Sequence, residues 1–268
     1  MNILINFAQW LDRKEFLRLR LWEFNLNNLN RYFPWYFLFR ILLWHPKSAI
    51  SGLLTYQKLI KNFPGGYLNG TSDLKNVLSR FSHNQEKLLI APGFCMKPYD
   101  ARRSKSLCPA GHFNHDCKMF NSKWLQKQRA DWPKPCDSCN IGKLVKIGSG
   151  LLADFYIMTS AIDIARDLFL PALDQKIPRL GIFMICRYST EAFTFGLSTS
   201  HITGNLVTFC AGDCLNHRDF TRADIGIKDS QTFIDLHIFT DLLAKLEINT
   251  NSNKNVVYHQ AGNIYRPV

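Results

Sequence analysis

The chain lacks the short motifs that mark the common nucleotide and hydrolytic sites. It contains no Walker A glycine run, no G-x-G-x-x-G, no H-E-x-x-H and no G-x-S-x-G, so the phosphate cradle, the paired zinc histidines and the nucleophile elbow are missing. Kinase, ATPase and nicotinamide-dependent readings lose their footing. No apolar run reaches the roughly 20 residues of a spanning helix, and there is no solenoid-period repeat or extended low-complexity tract. The opening Met1 to Leu21 has no continuous apolar core and carries Asp12, Arg13, Lys14, Glu15, Arg18 and Arg20, which reads as a chain without a cleavable signal and sets the expectation of a reducing, cytoplasmic compartment. Acidic residues are also scarce, 21 against 33 Lys and Arg, for a formal charge of +12. Such a balance suits phosphate-bearing partners. With no helix-turn-helix, RNA-recognition or zinc-finger pattern, nucleic acid is disfavoured and an anionic membrane surface is the better match, with a solvated basic face as the competing account.

What the chain does have is cysteine, eight in 268 residues. At this length a hydrophobic core suffices for folding without disulfides, so thiols in a reducing compartment point to metal or redox chemistry. Five lie between Lys87 and Leu144, in KLLIAPGFC, LCPAGHFNHDC and PCDSCNIGKL. The C-x-x-C of Cys136 and Cys139, expected on a loop before a glycine turn, lets two sulfurs face one ion or cluster.

The first 83 residues read as a helical, amphipathic region. Residues 2–24 repeat apolar side chains at helical spacing, Tyr32 to Trp44 is dense in aromatic and aliphatic residues, and Ser48 to Phe63 and the Ser72-Asp73-capped LKNVLSRF complete the set. Flanked by Arg31, Arg40 and Lys47, the Tyr32 to Trp44 segment suits a helix lying in the headgroup layer, with a helix buried on the core as the competing account. Residues 84–268 read as a cysteine-rich α/β domain. Short apolar runs at 87–91, 152–159, 179–186 and 205–210, with the helical AIDIARDLFLPAL between the second and third, predict a parallel sheet with flanking helices. A C-terminal helix is expected through Phe233, Leu236, Ile238, Phe239, Leu242 and Leu246, and a loop from Asn249 to Asn255.

Ligand sites in such sheets lie at the carboxyl ends of the strands. Cys95, Cys186 and Cys210 each follow an apolar run and are expected to converge there. Cys108, Cys117, Cys136 and Cys139 could supply the four thiolates of a cluster or of a zinc site, in which His112 or His115 could replace one. Cys95, Cys186, Cys210 and Cys214 form a second possible set, against which stands the reading of Cys186 and Cys210 as inert core thiols. Asp213 is expected to cap a turn, with orientation of a substrate or a water as the alternative.

Taken in order, LLIAPGFC, CPAG, CDSCNIGKL, IMTSAIDIARDLFLPAL and LGIFMIC resemble a prokaryotic cysteine-rich family, the domain of unknown function numbered 116. The similarity covers roughly residues 87–190 and implies Cys95, Cys108, Cys136, Cys139 and Cys186 as ligand candidates. The family pattern has three cysteines at two-residue intervals before Ile-Gly; here the earliest of those positions is Pro133, and Cys117 is the nearest substitute. The resemblance implies a metal site without a reaction, and its hydrophobic N-terminal segments agree with membrane-surface association.

The expectation is therefore an iron–sulfur protein, most simply with a 4Fe-4S cluster, in a redox or sulfur-linked role and so a candidate oxidoreductase with a redox partner protein. It would be cytoplasmic, peripheral on the inner membrane face. The alternative is a non-catalytic zinc-stabilised module binding lipid or a protein partner.

Overall fold

The computed structural model describes residues 41, 43–62, 69–84, 86–127, 131–174, 177, 179–248 and 256–268. The amphipathic segment 2–24, most of Tyr32 to Trp44 and the loop from Asn249 to Asn255 lie outside the described residues.

Helix α1 spans Pro46–Asn62 and α2 Leu74–Asn84. The latter starts where Asp73 Oδ1 accepts the Asn76 amide, at 2.7 Å, which satisfies one of the helix's orphan donors. Strand β1 is Leu88–Pro92, followed by a small antiparallel pair, β2 Tyr99–Asp100 and β3 Lys105–Ser106. Helix α3, Asn140–Gly150, leads to β4, Asp154–Tyr156. A continuous helix over 161–173, α4, is π-helical at Ala165–Phe169. Then come β5 Leu180–Ile185, α5 Thr190–Thr199, β6 Thr203–Thr208, α6 His217–Ala223, α7 Leu236–Glu247, β7 Tyr258–Ala261 and β8 Ile264–Pro267.

These strands form a six-stranded sheet in the order β6-β5-β1-β4-β8-β7. The four apolar strands are parallel, as expected, and the C-terminal β7–β8 hairpin adds an antiparallel edge to β4. Alternation along β1 divides the core between the faces: Leu88 and Ile90 pack with Ile141, Leu144 and Leu242, while Leu89 and Ala91 pack with Leu168, Phe169 and Phe193. Thus α3 and α7 cover one face, and α4 and α5 the other. The apolar runs read as continuous because both faces are buried.

Helix α1, assigned from the sequence to a separate N-terminal region, lies on this same body. A Cβ added to Gly52 would stand 2.4 Å from the Thr199 Cα, so the two helix backbones nearly touch. Gly70 bridges Asn205 beside β6, and Arg80 pairs with Glu86 at 2.7 Å while hydrogen-bonding the Thr203 hydroxyl. Among the described residues no helix is long and apolar enough to cross a membrane.

Candidate metal centres

The connection after β1 crosses to β4 over the face covered by α3, whereas the connection after β5 runs to β6 over the face covered by α5. Adjacent parallel strands whose following connections leave to opposite faces open a crevice at their carboxyl ends, where ligands bind in this class of sheet. Cys95 follows β1 and Cys186 follows β5, so these two thiols stand at the crevice.

Cys95 sits in the turn Phe94–Met96, anchored where the Phe94 amide donates to the Met158 carbonyl and the Cys95 carbonyl accepts from Thr232. Its thiol neighbours Cys186, and Cys186 neighbours Cys214, each close enough to shift the other's acidity. Cys214 and Cys95 hold Cys186 well below the usual thiol range, while sharing the site with Cys186 and burial push Cys95 and Cys214 up. Lys228 lies close by, its Nζ 4.0 Å from the Cys214 Sγ and bonded to the Gly212 carbonyl at 2.7 Å. A clamp holds the Cys186 and Cys214 segments together: Asp213 accepts from the Arg187 guanidinium at 2.8 Å through each carboxylate oxygen. Asp213 is therefore an inter-loop anchor, and the turn-capping role expected for it is replaced by this pairing.

The expected meeting of Cys95, Cys186 and Cys210 needs one correction. Cys210 is exposed and its thiol donates to the Phe233 carbonyl at 3.4 Å, because the bridge between Ala211 and Phe233 turns this segment outward. Cys214, four residues on, occupies the inner position. The pocket beside the three thiols encloses about 710 Å³ of empty space including its mouth, and Met158, Phe169, Phe193, Phe209 and Phe220 give it an apolar wall.

Cys108, Cys117, Cys136 and Cys139 line a second, small cavity together with Lys97 and Gly142. The expected glycine turn after Cys139 is instead the first turn of α3. Cys139 is its N-cap, so its thiol lies at the end where a helix leaves its amides open, and the Ile141 and Gly142 amides there favour its thiolate. A Cβ on Gly142 would press on the Cys136 carbonyl at 3.2 Å, so glycine lets the C-x-x-C turn lie on the helix. Burial pushes Cys139 up and, with the Cys139 charge, raises Cys136 to about 11; burial also raises Cys117, against the opposing influence of the Met119 amide. Cys108 is held where its amide donates to Ser106 Oγ at 3.2 Å. Phe120 stacks on Tyr265 at 3.7 Å, and the Tyr265 hydroxyl donates to Asp116 at 3.1 Å, so the C-terminal hairpin pins the loop bearing Cys117.

Lys97 is the residue the sequence reading passed over. Its side chain is 1% exposed, with Nζ donating to the Gly111 and Asn114 carbonyls and to the Asn114 side chain. Burial lowers its pKa, opposed by the nearby Cys108, Cys117, Asp116 and Cys139. Lys97 thus shares this cavity with Cys108, Cys117 and Cys139, and its ammonium is satisfied there by hydrogen bonds to neutral oxygens. The signal available was a lysine immediately after the Phe94–Met96 turn, which sequence alone does not distinguish from a surface lysine.

The histidines part company. His112 packs edge-on against Phe94 at 5.2 Å, both ring nitrogens buried without a hydrogen-bond partner, and burial with Lys97 and Lys228 lowers it to about 4. His115 bonds the Ile157 carbonyl through Nδ1 at 2.8 Å and falls within 4.8 Å of Asp163 and Asp167. Those carboxylates are already taken by Arg166, at 2.8 Å each. Among the described residues no three thiol sulfurs all lie within 4.8 Å of one another.

No family model, curated protein or solved structure matches this chain, so its own residues carry the functional reading.

Proposed function

We propose that the protein is an iron–sulfur protein with a redox or sulfur-linked role, its cluster held by Cys108, Cys117, Cys136 and Cys139. The observation supporting this is that three separate loop segments bring these four thiols around one small cavity beside a buried lysine. Thiolate is the donor that iron–sulfur clusters take, four at a time. The cation at Lys97 balances part of the negative charge that four thiolates place there. The wider spread of the sulfurs favours a cluster over a single tetrahedral zinc, whose thiolates would sit about 3.8 Å apart given Zn–S bonds of about 2.3 Å. The cluster would supply electron storage; the residues bind it, balance its charge and exclude water.

Purification without oxygen tests the reading. A brown protein with visible absorption, and with iron and sulfide in equal amounts, is expected. A colourless protein containing zinc would replace the proposal with a zinc-stabilised module. The basic, aromatic N-terminal region fits peripheral attachment to an anionic membrane face.

A further inference from the structure

We propose that Cys95, Cys186 and Cys214 hold a second thiophilic metal centre, whose open coordination position faces the apolar pocket and takes an apolar molecule carrying a metal-seeking end. This centre is separate from the four-cysteine cavity and does not depend on it.

The three thiols come from the loops after β1, β5 and β6, converging at the crevice that the sheet's connectivity opens. Inert core thiols have no reason to meet on the wall of one pocket from three separate strands, as these do. The fixed parts are the turn carrying Cys95 and the Arg187–Asp213 clamp between the other two. Lys228 stands beside the set as a charge balance for thiolates. Among the described residues no three thiol sulfurs lie within 4.8 Å of one another, so the set as it stands suits the wider span of a cluster, and a single ion would require the thiol side chains to turn inward.

Three protein ligands leave one position of a tetrahedral ion, or one iron of a cuboidal cluster, without a protein donor, and an open position of this kind is the mark of sites that bind an exchangeable ligand. All three thiols lie on the wall of the large pocket. A molecule coordinated there would place its body against Met158, Phe193, Phe209 and Phe220, which favours aliphatic or aromatic groups over charged ones.

The test uses the full chain, reduced and handled without oxygen, in two loading arms: cobalt(II) alone, and ferrous iron with sulfide. Sulfur-to-metal charge-transfer absorption in the first arm assigns a single-ion centre, and cluster absorption in the second assigns an iron–sulfur one. In either arm the Cys136→Ser/Cys139→Ser variant should retain a thiolate-bound centre that the Cys186→Ala/Cys214→Ala variant lacks. Alkylation mapped by mass spectrometry keeps the test decisive if a variant fails to fold: in the unmodified chain, bound metal should protect Cys95, Cys186 and Cys214 and leave Cys210 reactive. Hexanethiol should shift the spectrum of the retained centre at lower concentration than a charged thiol of similar size, and Ala192→Phe, which fills the pocket, should remove that preference without loss of metal. Equal metal content in the unmodified chain and the Cys186→Ala/Cys214→Ala variant, or equal alkylation of all four cysteines with and without metal, would overturn the centre. Equal response to both thiols would overturn the apolar ligand.

Discussion

Cys95 and Cys186 follow neighbouring parallel strands and line the same pocket side by side. The contact joins residues far apart in sequence at the one place where the sheet's connections part to opposite faces. Its geometry depends on the loops that carry it, and the Arg187–Asp213 pair is the part most open to test.

Asp213→Asn should cost about 1.5–3 kcal/mol, the range for hydrogen bonds to charged groups. Burial alone would raise the Asp213 pKa, but the Arg187 guanidinium more than offsets it and holds the carboxyl below its ordinary value. With the folded value depressed, the contribution is present above the unfolded pKa of about 3.9 and is lost as pH falls through the folded value. Denaturant unfolding of both proteins should therefore show a gap at pH 6 that narrows below pH 4. A gap independent of pH would assign the effect to packing.

Replacing Cys136 or Cys139 with Ser should remove bound metal and stability together. Where free metal exceeds its Kd a thousandfold, the loss is about 4 kcal/mol. Thermal melts with and without chelator measure it; the chelator should shift the unmodified protein and leave the variants where they are.

Lys97→Met keeps the length of the side chain and removes its charge. A cluster gains negative charge on reduction, which a nearby buried cation favours, so the variant's reduction potential should move to more negative values. An unchanged potential in a redox titration would place Lys97 away from the reducible centre.

Gly52→Ala tests whether α1 is part of the α/β body. The added methyl meets the Thr199 backbone at 2.4 Å, and overpacking of this kind costs about 1–3 kcal/mol. A single unfolding transition shifted to lower denaturant is expected. Loss of an early, separate transition would instead show an independent N-terminal unit.

The protein should sediment with acidic vesicles at low salt and be partly released at high salt. Beside the described end of the N-terminal region, Leu43, Trp44, Ile50 and Leu54 are all exposed. Failure of the correctly folded protein to sediment would leave that apolar surface to a protein partner.

The parallel core was legible in the sequence because four strands buried on both faces read as unbroken apolar runs, and β1, β5 and β6 fall within two residues of the expected spans. The β7–β8 hairpin escaped notice although Gly262-Asn263 between two short strands is a recognised turn pair; its outer residues His259, Gln260 and Arg266 are polar and hide the alternation. The helix α3 was masked by Gly142, which ordinarily argues against a helix and here serves close packing. Spacing could place Cys186 at a strand end but could not choose between Cys210 and Cys214, since both follow β6. The choice rests on a bridge to Phe233, a pairing 22 residues away that no local pattern encodes.

The order in which the thiols occur along the chain also sets the order in which they can be brought together during synthesis. Cys108, Cys117, Cys136 and Cys139 have all emerged before β4 begins, so under the proposed reading these thiols are available to metal while the later strands are still being made, with the C-terminal hairpin arriving last to pin the Cys117 loop. Cys95 must wait for β5 to bring Cys186, and then for the segment beyond β6 to bring Cys214. Contacts of such long sequence separation form late, because the loops between them must close first. Metal supplied during translation would therefore reach the four-cysteine cavity first, and the crevice site would be filled only in a nearly complete chain.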